Sequence, residues 1–87
     1  MSDTELHEAA DAVDRAVDGL DDADRARGLA DQLRSLADGE RRPDHGRLAR
    51  VENALGELRE GATTEAAAAL DDAKAAIEAY REDLPGV

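Results

Sequence analysis

Residues 39–50 read GERRPDHGRLAR, and the way this stretch is taken decides the fold. Gly39 and Pro43 both interrupt helix, because glycine raises the entropic cost of helical backbone and proline lacks the amide proton that the helix needs. Asp44 then has the short carboxylate suited to accept a hydrogen bond from the first free amides of a helix starting at His45. Pro43 at N′ can pack on Leu48 at N4 as a hydrophobic staple. The stretch therefore reads as a linker, 39–44, between two helical units at 3–38 and 45–84, within a single domain spanning 1–87.

Working outward from the linker, each unit contains two apolar stripes at helical spacing. Leu6, Ala9, Ala10, Val13, Ala16, Val17 and Leu20 fall on one face, with Glu8, Asp11, Asp14, Arg15 and Asp18 outside it. Ser2 and Glu5 read as a capping box at its start, and Gly19 is expected to end it in the left-handed C′ position. The second stripe is Ala26, Leu29, Ala30, Leu33, Leu36 and Ala37, capped by Asp21 or Asp22 and stopped at Gly39. Gly28 lies inside it and weakens it. The third runs Leu48, Val51, Leu55 and Leu58 to Gly61. The fourth runs Ala66, Leu70, Ala73, Ile77, Tyr80 and Leu84, capped by Thr63 or Thr64 and stopped at Pro85.

Laid over itself with an offset of 42, the chain puts Leu6 on Leu48, Val13 on Leu55, Gly19 on Gly61, and Asp21 and Asp22 on Thr63 and Thr64. After the turn the offset becomes 44, with Leu33 on Ile77 and Leu36 on Tyr80. Two tandem hairpins follow, each with one apolar face and nothing of its own to cover it. Packed on each other they make an all-α, antiparallel four-helix bundle. Should the turn at Gly19 or Gly61 straighten, the same stripes would make longer helices suited to a dimer.

Composition supports an all-α chain with a thin core. Of 36 hydrophobic residues among 87, 19 are Ala, and there is no Phe or Trp and only one Tyr. Helix formers dominate while β-branched and aromatic residues are scarce. Without cysteine, neither disulfides nor a thiolate metal site can staple the fold. Acidic residues number 22 against 11 basic, and Lys74 is the sole lysine. Dense carboxylates, depleted lysine and small core residues match the style of proteins from molar salt, where a highly charged surface opposes salt-strengthened association. The N-terminus MSDTELHEAADAV is acidic where a secretory signal is basic and then apolar, and no apolar run is long enough to span a membrane, so a cytoplasmic protein is expected.

Candidate chemistry is sparse. His7 and Asp11 stand at i and i+4, but the second histidine of a zincin helix is missing, and neither His7 nor His45 follows an acid by three residues as di-iron bundles require. Hydroxyls cluster at helix starts, where capping accounts for them. An alanine-rich bundle of this length has little room for the apolar pocket that raises a catalytic acid's pKa. No enzyme activity, cofactor, metal or small-molecule substrate is therefore expected.

What stands out is charge. Residues 41–50 hold four Arg against one Asp, while the other 77 residues hold 7 basic against 21 acidic. The candidate interaction segment is Arg41, Arg42, His45, Arg47 and Arg50. Within the fold, these arginines would be received by carboxylates such as Asp38, Glu40 or those of a neighbouring helix. As a phosphate grip at the start of the third helix they would contact nucleic acid. The surrounding negative charge, the lack of stacking aromatics and a salty habitat argue against that.

With RPDHGRLAR and its acidic hairpins in view, the chain resembles a family of short haloarchaeal proteins of uncharacterised function. The resemblance covers nearly the whole chain and implies one domain and a high-salt origin, but no activity or catalytic residue. The expected function is a non-catalytic interaction module that homodimerises or docks a protein partner. A regulator touching nucleic acid through segment 41–50 is the alternative.

Overall fold

The computed structural model describes residues 4–39 and 43–83. It contains four helices, α1 Thr4–Ala16, α2 Ala23–Asp38, α3 His45–Arg59 and α4 Thr64–Asp83, with a 3-10 turn at Val17–Gly19 after α1. No strand occurs among the described residues. Ser2, Leu84 and Pro85, expected to cap or flank the outer helices, lie outside the described residues. The molecule measures 35 × 20 × 17 Å, one helix long and two helices thick in either short direction, since a 20-residue helix is about 30 Å long and packed axes lie about 8–10 Å apart. All four helices thus share one core.

Local chemistry sets the helix starts. Asp22 accepts a hydrogen bond from the Arg25 amide at 3.1 Å, Asp44 from Arg47 at 2.7 Å and the Thr63 hydroxyl from Ala66 at 3.2 Å. Each satisfies one of the amides that a helix N-terminus leaves free. Of the paired candidates, Asp22 and Thr63 hold the cap positions.

The ends differ from expectation. No described glycine has a positive φ, so Gly19 does not terminate α1 as a left-handed cap. The helix tightens into the 3-10 turn, and the Leu20 amide donates to the Val17 carbonyl. Glycine is needed there for space. A Cβ on Gly19 would collide with the Thr63 hydroxyl and lie 2.7 Å from Ala66 Cβ. The Thr63 amide also donates to the Gly19 carbonyl at 2.9 Å. Gly61 is crossed by the Asp21 side chain in the same manner. In the tandem register Gly19 aligns with Gly61 and Asp21 with Thr63, so the two contacts are reciprocal and join the hairpin turns at one end of the bundle. Both turns are hairpins, not continuous helix.

Gly19→Ala is expected to cost about 1–3 kcal/mol, the range for overpacking a closed contact. Gly61→Ala should cost clearly less, because the obstructing atoms belong to the flexible end of Asp21. Urea melts of both variants check the order.

Away from the turns the symmetry fails. α1 is packed intimately against both α4 and α2, α3 packs on α4, and α2 and α3 barely meet. Side-chain size explains this: α1 buries Ala9, Ala10, Ala12 and Ala16 where α4 offers Ala66 and Ala73, while α3 buries Leu48, Val51, Leu55 and Leu58. Small side chains let helix axes approach, and leucines hold them apart. The α2 stripe is also narrower than its spacing suggests. Ala26, Ala30, Leu33 and Ala37 are buried, but Leu29 and Leu36 are only partly covered. Tyr80 is buried in the core, as its place in the α4 stripe predicts.

Ion pairs tie the outer edges. Arg34 of α2 donates to both Asp14 and Asp11 of α1, 2.5 and 3.0 Å away. Those hydrogen bonds, Asp14 first, raise the guanidinium pKa above its usual value. Arg59 makes a forked contact with Asp71 of α4 at 2.9 and 3.2 Å, which raises its pKa likewise. Arg25 reaches Glu57 across α2 and α3.

Candidate functional site

The arginine segment begins where the chain enters α3. Pro43 and Leu48 are both buried, as a hydrophobic staple requires. Asp44 is extended, at φ −86° and ψ 167°, and its carboxylate covers the Arg47 amide. Because a carboxylate already occupies this helix N-terminus, the position has less to offer a phosphate.

The described side chains of the segment have different surroundings. His45 is partly buried, and its Nδ1 accepts a hydrogen bond from Nε of Arg81 at 3.2 Å. A guanidinium can only donate, so Nδ1 bears the lone pair and the ring proton of the neutral imidazole sits on Nε2. Arg81 also donates to Glu52 Oε2 at 2.6 Å, where the Glu52 side chain is only 11% exposed. The other carboxylate oxygen, Oε1, is buried without a hydrogen-bond partner. Around this triad His45, Glu78, Arg81 and Glu82 bound a shallow, solvent-open depression. His45 therefore belongs to a clasp between α3 and the last turn of α4. Arg41 and Arg42 lie outside the described residues.

Arg47 and Arg50 are exposed and make no ion pair among the described residues. The carboxylate partners expected if these arginines served the fold are therefore not found for Arg47 and Arg50 among the described residues. Every other described arginine, at positions 15, 25, 27, 34, 59 and 81, lies within 4.0 Å of a carboxylate. The contrast is geometric. Paired arginines on α3 and α4 look across the close α3–α4 contact, whereas Arg47 and Arg50 lie on the opposite flank, towards the loosely packed α2.

The spacing of His7 and Asp11 does not form a chelate. Asp11 is engaged by Arg34, and His7 Nε2 faces Asp38 Oδ1 of α2 at 3.2 Å. No cluster of three or more His, Asp or Glu side chains among the described residues is arranged to hold a metal ion. Sequence reading missed the roles of Arg81 and Glu52. The one available signal was His45 and Glu52 seven residues apart, two turns along one face; the arrival of Arg81 depends on how α4 returns.

An acidic all-α bundle of two hairpins, with its turns locked together and, among the described residues, two arginines without an ion pair on one flank, is the class this architecture defines. The chain belongs to a family of unknown function, DUF7553, whose profile matches residues 1–83. Searches of curated proteins and of solved structures find no match. No helix among the described residues is long and apolar enough to cross a membrane.

Proposed function

We propose that this protein is a non-catalytic, acidic helical interaction module of a high-salt cytoplasm, which self-associates or docks a protein partner through the flank of α3 bearing Arg47 and Arg50. One observation carries the reading. In a chain with twice as many acids as bases, the two described arginines without an ion pair stand on the same flank, one helical turn apart. Left exposed, they add little to stability, since even formed surface pairs are worth about 0–1 kcal/mol. Against a partner's carboxylates the guanidinium forks supply strong, directional hydrogen bonds. The high-salt setting rests on composition: the acidic excess and the near absence of lysine.

Arg47→Ala and Arg50→Ala are expected to leave thermal melting unchanged and to abolish an association seen by affinity capture from native high-salt lysate. Asp44→Ala should lower stability by about 0.5–2 kcal/mol through loss of the α3 cap. Arginine variants that melt early but keep every association would overturn the reading. Low-micromolar binding of duplex or single-stranded nucleic acid at working salt, lost in both arginine variants, would replace it with the nucleic-acid regulator.

A further inference from the structure

We propose that the α2–α3 side of the bundle docks a short amphipathic helix of another protein, one that carries a row of carboxylates beside an apolar stripe. The inference rests on the interaction-module reading and names the chemistry of its partner. The Arg25–Glu57 ion pair fixes which flanks of the two helices face each other. Two helical turns are close to seven residues, so Gln32 shares the flank of Arg25 on α2, with Leu29 and Leu36 between that row and the core. On α3 the same spacing puts Arg50 with Glu57, and Arg47 and Ala54 between them and the core. The helices run antiparallel, so Gln32 is level with Arg50 and Leu36 with Arg47.

At the other three seams an arginine meets a carboxylate of the helix opposite: Arg34 with Asp11 and Asp14, Arg15 with Asp72, and Arg59 and Arg81 with Asp71 and Glu52. Beyond Arg25, the α2 flank offers Gln32 and two leucines instead. The acids of α2 lie on its α1 side, where Asp38 meets His7 and Asp31 borders a depression with Asp14 and Asp18. On α3, Asp44 is engaged by the Arg47 amide and Glu57 by Arg25. Arg47 and Arg50, without an ion pair among the described residues, and the partly buried Leu29 and Leu36 thus share one face. It belongs to the least intimately packed neighbouring pair of helices.

The occupant follows from what this face lacks. Arg47 and Arg50 stand one turn apart, so carboxylates three or four residues apart on a helix match them. Leu29 and Leu36, two turns apart, match an apolar stripe at i, i+3 or i+4, and i+7. From Arg25 to Leu36 the face is about 17 Å long at about 1.5 Å per residue, room for a helix of about three turns. A second copy does not supply this combination. Among the described residues its partly buried leucines are Leu20, Leu29 and Leu36; Leu20 lies in a turn, and the acids of α2 lie on the flank away from the other two. Nucleic acid would engage the guanidinium groups but leave the leucines uncovered.

The test is fluorescence anisotropy of the full chain with three labelled peptides, at the lowest KCl concentration where circular dichroism shows complete helicity. Each peptide has about 16 residues, is cross-linked on its polar side because so short a helix is marginal alone, and carries the same leucine stripe. The residues beside the stripe are Glu in the first, Gln in the second and Lys in the third. The Glu peptide is expected to bind with a Kd below about 100 µM. It should bind at least about tenfold more tightly than the Lys peptide, whose charges repel the arginines, with the Gln peptide between. Arg47→Glu/Arg50→Glu should reverse that order with unchanged helicity. Leu29→Gln/Leu36→Gln should keep the melting transition and weaken the Glu peptide at least about tenfold, through lost apolar burial. Equal binding of the three peptides, an order that survives the arginine reversal, or no Glu-peptide binding overturns the inference. So does indifference to the leucine changes in a protein that still melts cooperatively. A wild-type dimer in sedimentation equilibrium that the arginine reversal dissolves gives the face to a second copy. A labelled duplex bound more tightly than the Glu peptide, and lost on the same reversal, gives it to nucleic acid. A partner protein captured by the wild type but not by Arg47→Ala, with no peptide bound, sinks this inference alone and leaves the interaction-module reading standing.

Discussion

Leu33→Asp is expected to abolish cooperative thermal unfolding and most far-ultraviolet helicity at 25 °C, and Leu55→Asp to do the same. Leu33 is fully buried and Leu55 is 2% exposed. Each substitution forfeits about 1.5–3 kcal/mol of leucine burial. It also leaves a carboxyl without a partner in the core, at a further cost of about 2–7 kcal/mol even if it is protonated. A domain of this length is stable by only about 4–13 kcal/mol, so either change consumes most or all of that margin. Leu33→Ala is the informative control. It leaves a cavity but no buried charge, costs about 2–5 kcal/mol, and should retain a weakened transition. Circular dichroism melts decide the matter, and a folded Leu33→Asp protein would mean that the core is elsewhere.

The second large effect is on salt. Helicity should rise steeply between dilute buffer and molar KCl. Two electrostatic contributions oppose each other. The ion pairs, such as Arg25–Glu57 and Arg59–Asp71, weaken as salt screens them, but their side chains are about half exposed and such pairs are each worth about 0–1 kcal/mol at most. Repulsion among 22 acidic residues against 11 basic ones is relieved at the same time, with Glu8, Asp18, Asp31, Glu60, Glu65 and Glu78 lacking any ion pair among the described residues. At about 1 M the Debye length is about 3 Å, so both contributions fade, and salt also strengthens burial of a thin core in which nine of the 20 buried hydrophobic residues are alanine. Repulsion relieved plus burial strengthened outweighs a few exposed pairs. Full cooperative folding in dilute buffer would remove the argument for a high-salt habitat.

Helix existence, helix starts and the two-hairpin plan were legible from the sequence because each depends on residues a few positions apart. Asp22, Asp44 and Thr63 cap amides three residues ahead, and the buried stripes recur at three and four residue steps. The end of α2 at Asp38 and the start of α3 at His45 follow from the nearby Gly39 and Pro43. Other features depended on partners far along the chain, which no local pattern encodes. Gly19 looked like a left-handed terminator, yet it is glycine because Thr63 and Ala66 press on it from the other hairpin. Leu29 and Leu36 fit the apolar period of α2, but α3 stands too far off to cover them, since its leucines hold the axes apart where alanines draw α1 and α4 together. Arg34 finds Asp11 across 23 residues and Arg81 finds His45 across 36, while Arg47 and Arg50, in the most conspicuous stretch of the sequence, find no carboxylate among the described residues. Sequence determined which faces are apolar and where α2, α3 and α4 begin; tertiary packing decided how closely each pair of faces approaches, and hence which charges find a partner among the described residues.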